Sequence, residues 1–437
     1  MSNPNPFHRA ALDAARQALL RGALDDAQGR CAALLEKAPD HLEALNLSAL
    51  IAFRQRRHSA ALLTLEAAQR IAPDDAQTLT SLGHVREATG DVAGALQAFN
   101  LLLAHRPQDF AARLHRGRLL EQSARADEAL FAYGRAIREA NLQGRWTSDE
   151  TTAPALREQV RHAIRTVNRG VGAYYERALA PLVARFGASE MQRVAHCLAI
   201  HLGQQPPEFV DPRQQPTFLF FPGLPTTPYL EVQDAPWRAA LQAQTDAIEA
   251  ELRALLPAAT GREAVFHSGE LAAENLRGAQ GAPDWNGYYF FRHGEARREN
   301  HAACPQTSAA LAALPLARIP GHAPEVLFSV FSPGTHLLPH RGVTNTRVVG
   351  HLPLIVPPDC ALRVGGETHA WRRGEVVVFD DSYEHEAWNR SAETRVVLIF
   401  DLWNPHLTEA ERLAVSALVV AIGDYRAATE PEGSPSA

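Results

Sequence analysis

The 437-residue sequence predicts an α+β protein of several domains, with a helical solenoid at the N-terminus and a β-rich domain of sandwich or jelly-roll type at the C-terminus. Two observations carry this. A period of 34 residues runs through the first third of the chain. After residue 325, short β-branched and aromatic runs alternate with turn-forming residues.

The period shows in four independent sets of positions. Prolines fall at Pro39, Pro73 and Pro107, and small residues at Ala15, Ala49, Gly83 and Gly117. Alanines recur at Ala27, Ala61, Ala95 and Ala129, and large apolar residues at Leu65, Phe99 and Tyr133. Small residues let paired helices approach, large ones fill the gap between pairs, and proline ends the second helix because it cannot continue the hydrogen-bond ladder. The pattern resembles the tetratricopeptide repeat. It gives four repeats at 8–41, 42–75, 76–109 and 110–143, with turns near Gly22, Arg56, Gly90 and Ala124. Such solenoids expose a concave face, so a peptide or protein partner is expected there.

Beyond the repeats, residues 141–154 are polar and turn-prone. Residues 155–201 regain helical periodicity, and one more helix is expected at about 237–256. Strands are expected at 326–331, 346–356, 361–364, 375–379 and 394–403. The resulting domain plan is 1–143 repeats, 144–205 helical connector, 206–426 β domain and 427–437 disordered tail.

Composition narrows the function classes. A net charge of −6 gives no electrostatic case for nucleic acid or anionic membrane. The N-terminus lacks a basic patch followed by an apolar run, and no stretch of 18 apolar residues occurs, so neither a signal peptide nor a membrane span is expected. The four cysteines (31, 197, 304 and 360) form no CxxC pair, which argues for a reducing, cytoplasmic setting. The Arg- and Ala-rich usage suggests a bacterial source.

Two histidines and an arginine stand out in the β-rich part. His340 lies in PGTHLLPHRG and His385 in FDDSYEHEAWN, 45 residues apart. A mononuclear iron(II) site takes two imidazoles and commonly a carboxylate, leaving positions open. Where that carboxylate would stand, two residues after the first histidine, the chain has Gly342. Arg395 begins the apolar run RVVLIFDLW. If its side chain turns inward, a buried guanidinium needs an anion, and a carboxylate is its natural bidentate partner. His336 and His340 have zinc-ligand spacing for a helix, but Pro333, Gly334 and Pro339 oppose a helix, which leaves His336 a supporting role. Asp380 and Asp381 read as turn-capping residues before His385.

SPGTHLLPHRGVTNTRVVGHLPLIVP (332–357) and FDDSYEHEAWN with RVVLIFDLWNP (379–405) resemble the signature of the aspartyl/asparaginyl β-hydroxylase family. The similarity extends over roughly 206–405. It implies a double-stranded β-helix, Fe(II), the co-substrate 2-oxoglutarate and O2. By the same resemblance His340 and His385 hold the metal, and Arg395, with Ser329, holds the distal carboxylate of the co-substrate. His351 and Trp285 line the co-substrate pocket. Val349 replaces an arginine of animal members, and Arg347, on the same strand face, can substitute for it. Leu327 replaces a substrate-facing lysine. The expected activity is hydroxylation of an aspartyl- or asparaginyl-like side chain in a peptide or protein recruited by the repeats. The alternatives are a hydroxylase of a small molecule or lipid acyl chain, with the repeats serving assembly, and a non-catalytic scaffold.

Overall fold

The computed structural model describes residues 6–256, 263–265, 276–277 and 285–430. The chain divides into two compact units, residues 1–174 with 423–437, and residues 175–422.

In the first unit eight helices form four antiparallel pairs: α1 Pro6–Leu20, α2 Leu24–Lys37, α3 Leu42–Arg54, α4 His58–Ile71, α5 Ala76–Ala88, α6 Val92–His105, α7 Phe110–Gln122 and α8 Ala126–Leu142. The turns fall where the period places them. Gly22, Arg56, Gly90 and Ala124 all adopt positive φ, between 56° and 82°. In each, the next backbone N–H closes on a carbonyl five residues back, as Ala23 does on Ala18 and Arg125 on Leu120. The small and large positions meet as the packing argument requires. A Cβ on Gly83 would lie 2.5 Å from the Phe99 ring, and one on Gly117 would lie 2.6 Å from the Tyr133 ring. The residue pairs in this register are Ala15–Cys31, Ala49–Leu65, Gly83–Phe99 and Gly117–Tyr133. Glycine therefore stands wherever the partner position is aromatic, and alanine where it is smaller.

The stretch expected as a connector is divided between the units. Trp146, Val160 and Ala163 are buried with Phe99, Leu119 and Tyr133 in the core of the last repeats. The long helix α9, Arg157–Phe186, is followed by α10, Gln192–His201, after a turn at Gly187 (φ 86°). The expected tail also begins later than residue 427, because the last helix runs from Glu409 to Thr429. Thr429 is fully buried, and it and Tyr425 crowd Gly134 of α8, which gives the helix end an apolar seat. Residues 431–437 lie outside the described residues.

The second unit contains α11 Pro236–Ala243 and α12 Thr245–Leu255, two helices where one was expected, separated at Gln244. Among the described residues twelve strands follow: β1 Glu263–Ala264, β2 Leu276–Arg277, β3 Trp285–Arg292, β4 Glu295–Ala296, β5 Val326–Phe331, β6 His336–His340, β7 Arg347–Ile355, β8 Cys360–Val364, β9 Glu367–Ala370, β10 Val377–Phe379, β11 His385–Asn389 and β12 Arg395–Trp403. They form two antiparallel sheets, β1-β3-β5-β12-β7-β10 with β4 on β3, and β2-β6-β11-β8-β9. This is the double-stranded β-helix. One face of the larger sheet buries Phe290, Phe328, Leu352 and Phe400 with Leu241, Ile248 and Leu252 of α11 and α12. A second core holds residues of both sheets, among them Phe331, Leu337, Leu362, Phe379 and Val397. Short helices at Arg298–Ala303 and Pro305–Ala312 complete the unit before β5.

Candidate active site

The smaller sheet makes His340 and His385 neighbours despite their separation in the chain. β6 and β11 pair antiparallel, and the two residues are direct Cα partners. Their ring centroids stand 4.1 Å apart. Each imidazole is set by its own strand: His340 Nδ1 donates to the Leu338 carbonyl at 2.8 Å, and His385 Nδ1 donates to Tyr383 at 3.0 Å. That fixes the proton on Nδ1 and leaves both Nε2 lone pairs for a metal. Burial lowers His340, and burial together with His340 pushes His385 down to about 3, so both rings stay neutral. Such a pair suits a divalent ion. Among the described residues no carboxylate joins these two nitrogens closely enough to make a third ligand.

The missing carboxylate has a counterpart nearby. Gly342 has no side chain, and a Cβ there would land on the Asp381 carboxylate. Gly342 N–H donates to the Asp381 carbonyl at 2.7 Å. Asp381 is buried, its Oδ1 has no partner, and burial raises it to about 7. It is therefore not the capping residue that the sequence suggested. Asp380 alone caps the turn, accepting from Ser382 N and Oγ at 2.9 and 2.6 Å. His336 sits apart from the imidazole pair, with Nε2 2.6 Å from Glu386.

Arg395 turns inward from β12 and is 1% exposed. Its guanidinium stands 3.7 Å from the Phe331 ring centroid and 4.7 Å from that of Trp371. Nη1 donates to the Ser329 carbonyl and hydroxyl, both at 3.3 Å, and Nε has no partner. Among the described residues no acid compensates the charge, and burial lowers Arg395 to about 9. Ser329 also accepts from Trp285 Nε1 at 2.9 Å, on the neighbouring strand β3. An unpaired buried guanidinium beside a hydroxyl is a receptor for an anion.

One cavity of about 370 Å³ collects these groups. Its lining includes Trp285, Ser329, His340, Arg347, His351, His385 and Arg395, every residue the sequence singled out for the site. Arg347, Val349 and His351 share one face of β7, as their alternation requires. Arg347 differs from Arg395 in being paired: Nη1 meets Asp401 at 2.6 Å, while Nε has no partner. His351 is buried against Phe379 and Trp371, and burial, then Arg395, drives it well below the usual histidine range. Glu325, His293 and His322 also line the cavity. Glu325 accepts from His293 N at 2.5 Å, and burial raises it to about 7. Sequence reasoning missed Glu325, Trp371 and the position of Asp381. An acid four residues before His385, opposite a glycine, was the available signal for the last.

Residues 242–405 match the family model described as Aspartyl/Asparaginyl beta-hydroxylase. The aspartyl/asparaginyl beta-hydroxylase of Mus musculus is 37% identical over 150 residues, covering 33% of this chain and 19% of that protein. The ornithine lipid ester-linked acyl 2-hydroxylase of Rhizobium tropici is 34% identical over 181 residues, 41% of this chain and 61% of its own. Aspartate beta-hydroxylase domain-containing protein 2 of Homo sapiens is 33% identical over 205 residues, 46% of this chain and 54% of its own. The chain thus spans between 19% and 61% of the length of these relatives. A crystal structure of MamA is 20% identical and covers 32% of this chain and 82% of its own, with a TM-score of 0.31.

Proposed function

From a domain that matches the aspartyl/asparaginyl β-hydroxylase family over residues 242–405, we propose that this chain is an Fe(II)- and 2-oxoglutarate-dependent hydroxylase. In this reading His340 and His385 hold the iron, and the substrate is an aspartyl- or asparaginyl-like side chain of a cytoplasmic peptide or protein recruited by the repeats. The observation that carries the reading is the pairing, in one cavity, of two neutral imidazoles held through Nδ1 by backbone carbonyls and one guanidinium without an acidic partner among the described residues.

Ferrous iron, when bound, supplies the redox chemistry that couples oxidative decarboxylation of 2-oxoglutarate by O2 to insertion of one oxygen atom into a C–H bond, leaving succinate and carbon dioxide. The chain's residues do the rest. Arg395 and the Ser329 hydroxyl bind the distal carboxylate of the co-substrate, and the Trp285 indole holds Ser329 in place through its 2.9 Å hydrogen bond. Trp371 and Phe331 sandwich the guanidinium and exclude water from it. His351 is a neutral hydrogen-bonding group on the cavity wall, and its Nδ1 is unpartnered. Arg347 presents its free Nε to the cavity while Asp401 neutralises its charge. Asp381 holds a polar atom beside Gly342, where it can orient water.

A second reading has its own support. Leu327, Val349 and Ile399 give the cavity an aliphatic wall, which suits an acyl chain better than a carboxylate-bearing side chain. One assay separates the two readings. Purified chain with iron and 2-oxoglutarate is offered a peptide pool or an acyl-lipid pool, while succinate and substrate mass are followed. Succinate coupled to a peptide heavier by one oxygen supports the first reading, and an acyl chain heavier by one oxygen supports the second. Undiminished coupled turnover in His340→Ala and His385→Ala would sink both.

A further inference from the structure

The repeats carry a cluster that the active site does not use. His84 and Glu87 lie one turn apart on α5, and His115 lies on α7, the first helix of the next repeat. Each offers a ligand atom, and the three atoms lie within 4.8 Å of one another. The two imidazoles meet edge to face, with centroids 4.5 Å apart and planes at 85°. His115 is clamped flat on Phe99, at 5.6 Å and 10°, and its Nδ1 is buried without a partner. We propose that His84, Glu87 and His115 form a zinc site that clamps the third repeat to the fourth.

Three arguments favour a ligand set over ordinary packing. First, solenoid packing residues recur every 34 positions, and neither histidine does, although Glu87 has Glu121 as its equivalent. The equivalents of His84 are Leu50 and Arg118, and those of His115 are Leu47 and Ser81. Second, two imidazoles and one carboxylate are the ligand set of open tetrahedral zinc sites, whose fourth position takes water. Ligands around such an ion stand about 3.3 Å apart, so small side-chain rotations close the observed spacing. Third, all three residues are half-buried, so the ion has access from solvent while both imidazoles keep the neutral, ligating form that burial favours. Arg118 is the competitor, since it pairs with Glu87. Its side chain is 35% exposed, which leaves it room to swing out when an ion arrives.

The experiment uses the full chain, stripped with chelator and titrated with zinc by calorimetry. His340→Ala/His385→Ala removes the metal site proposed above, and this variant is expected to retain one zinc equivalent and to melt at higher temperature with zinc than without. Glu87→Gln, added to that background, keeps size and shape. It should weaken zinc at least about tenfold without changing the circular dichroism or the melting temperature in chelator. His115→Phe, which preserves the stack on Phe99, should do the same or more. Cobalt provides a second readout, because its visible bands report tetrahedral coordination and should fade in both variants. No zinc bound in the His340→Ala/His385→Ala chain, or zinc binding and cobalt bands unaffected by Glu87→Gln and His115→Phe, would overturn the proposal.

Discussion

Arg395 is a charge held in the protein at a cost, and that makes its role testable apart from folding. An uncompensated buried guanidinium destabilises the chain that carries it. Arg395→Met should therefore melt at the same temperature as the parent or higher, while 2-oxoglutarate binding falls by roughly 30-fold or more, the loss typical of removing one partner from a buried charge pair. Melting curves and binding calorimetry check the two halves. A variant that unfolds early yet binds the co-substrate normally would make Arg395 a structural residue. Glu325 offers a pH test. Its folded pKa is raised to about 7, against about 4.3 unfolded. Between these values the unfolded chain has released a proton that the folded chain keeps, so this group's contribution to stability falls as pH rises from about 4.3 to 7, by up to ~4 kcal/mol. Glu325→Gln should thus gain stability over the parent progressively across that window and hold the gain above it. Urea unfolding at pH 5, 6 and 8 measures it, and a difference that shrinks with pH would refute the assignment. Residues of this kind were partly legible in the sequence. Arg395 stood out because a charge interrupts an apolar run, and His340 and His385 because of the motifs PGTHLLPHRG and FDDSYEHEAWN around them. Asp381 did not, because its meaning depends on the empty space at Gly342, which only the fold creates.

At the scale of elements, legibility followed the strength of the period. The eight repeat helices were readable because helix packing repeats a spatial constraint at a fixed interval. The strand β5 was readable because it is apolar but for Ser329 and wholly buried, and β12 because its apolar run is nearly unbroken. β6 and β11 were not expected as strands, since HLLPH and HEAWN carry the polar groups of the site where alternation would have shown. The turns invite a direct test. Ala124 occupies at φ 56° a conformation that costs an L-residue roughly 1 kcal/mol and glycine almost nothing. Ala124→Gly should raise the melting temperature of the repeats, whereas Gly90→Ala, at φ 82°, should lower it. The helix contacts run the other way: Gly83→Ala places a methyl against Phe99 and should destabilise by about 1–3 kcal/mol. A companion Phe99→Leu recreates the Ala49–Leu65 pairing of the second repeat and should recover part of the loss. Chemical denaturation followed by circular dichroism reads all four, and an absence of recovery in the double variant would refute the matched-pair account.

At the scale of the whole molecule, the question is whether the repeats act on the same substrate as the proposed hydroxylase cavity. No helix is long and apolar enough to cross a membrane among the described residues, and the four cysteines are free and buried. The repeats carry a hollow of about 430 Å³ lined by Arg113, Arg116 and Arg135 with Asn100 and Phe131. Arg113 and Arg135 are held by the buried Glu139, whereas Arg116 donates to Asn100 Oδ1 at 2.7 Å, a neutral acceptor. Glu128 also lines the hollow and attracts Arg116, but its hydrogen-bonded ion pair is with Arg125, so Arg116 is the cation there that an acidic segment of a peptide would engage at least electrostatic cost. If the repeats deliver a peptide to the cavity, Arg116→Glu should raise KM for that peptide several-fold, with the effect fading at high salt. Uncoupled consumption of 2-oxoglutarate and kcat at saturating peptide should stay unchanged, because the chemistry depends on residues of the other unit. If the substrate is an acyl chain that enters the cavity unaided, the same variant leaves kcat/KM where it was. Steady-state kinetics at two ionic strengths distinguish these outcomes. A fall in kcat with KM constant would sink the delivery role, since an interaction made only while docking substrate cannot lower the rate once the substrate is bound.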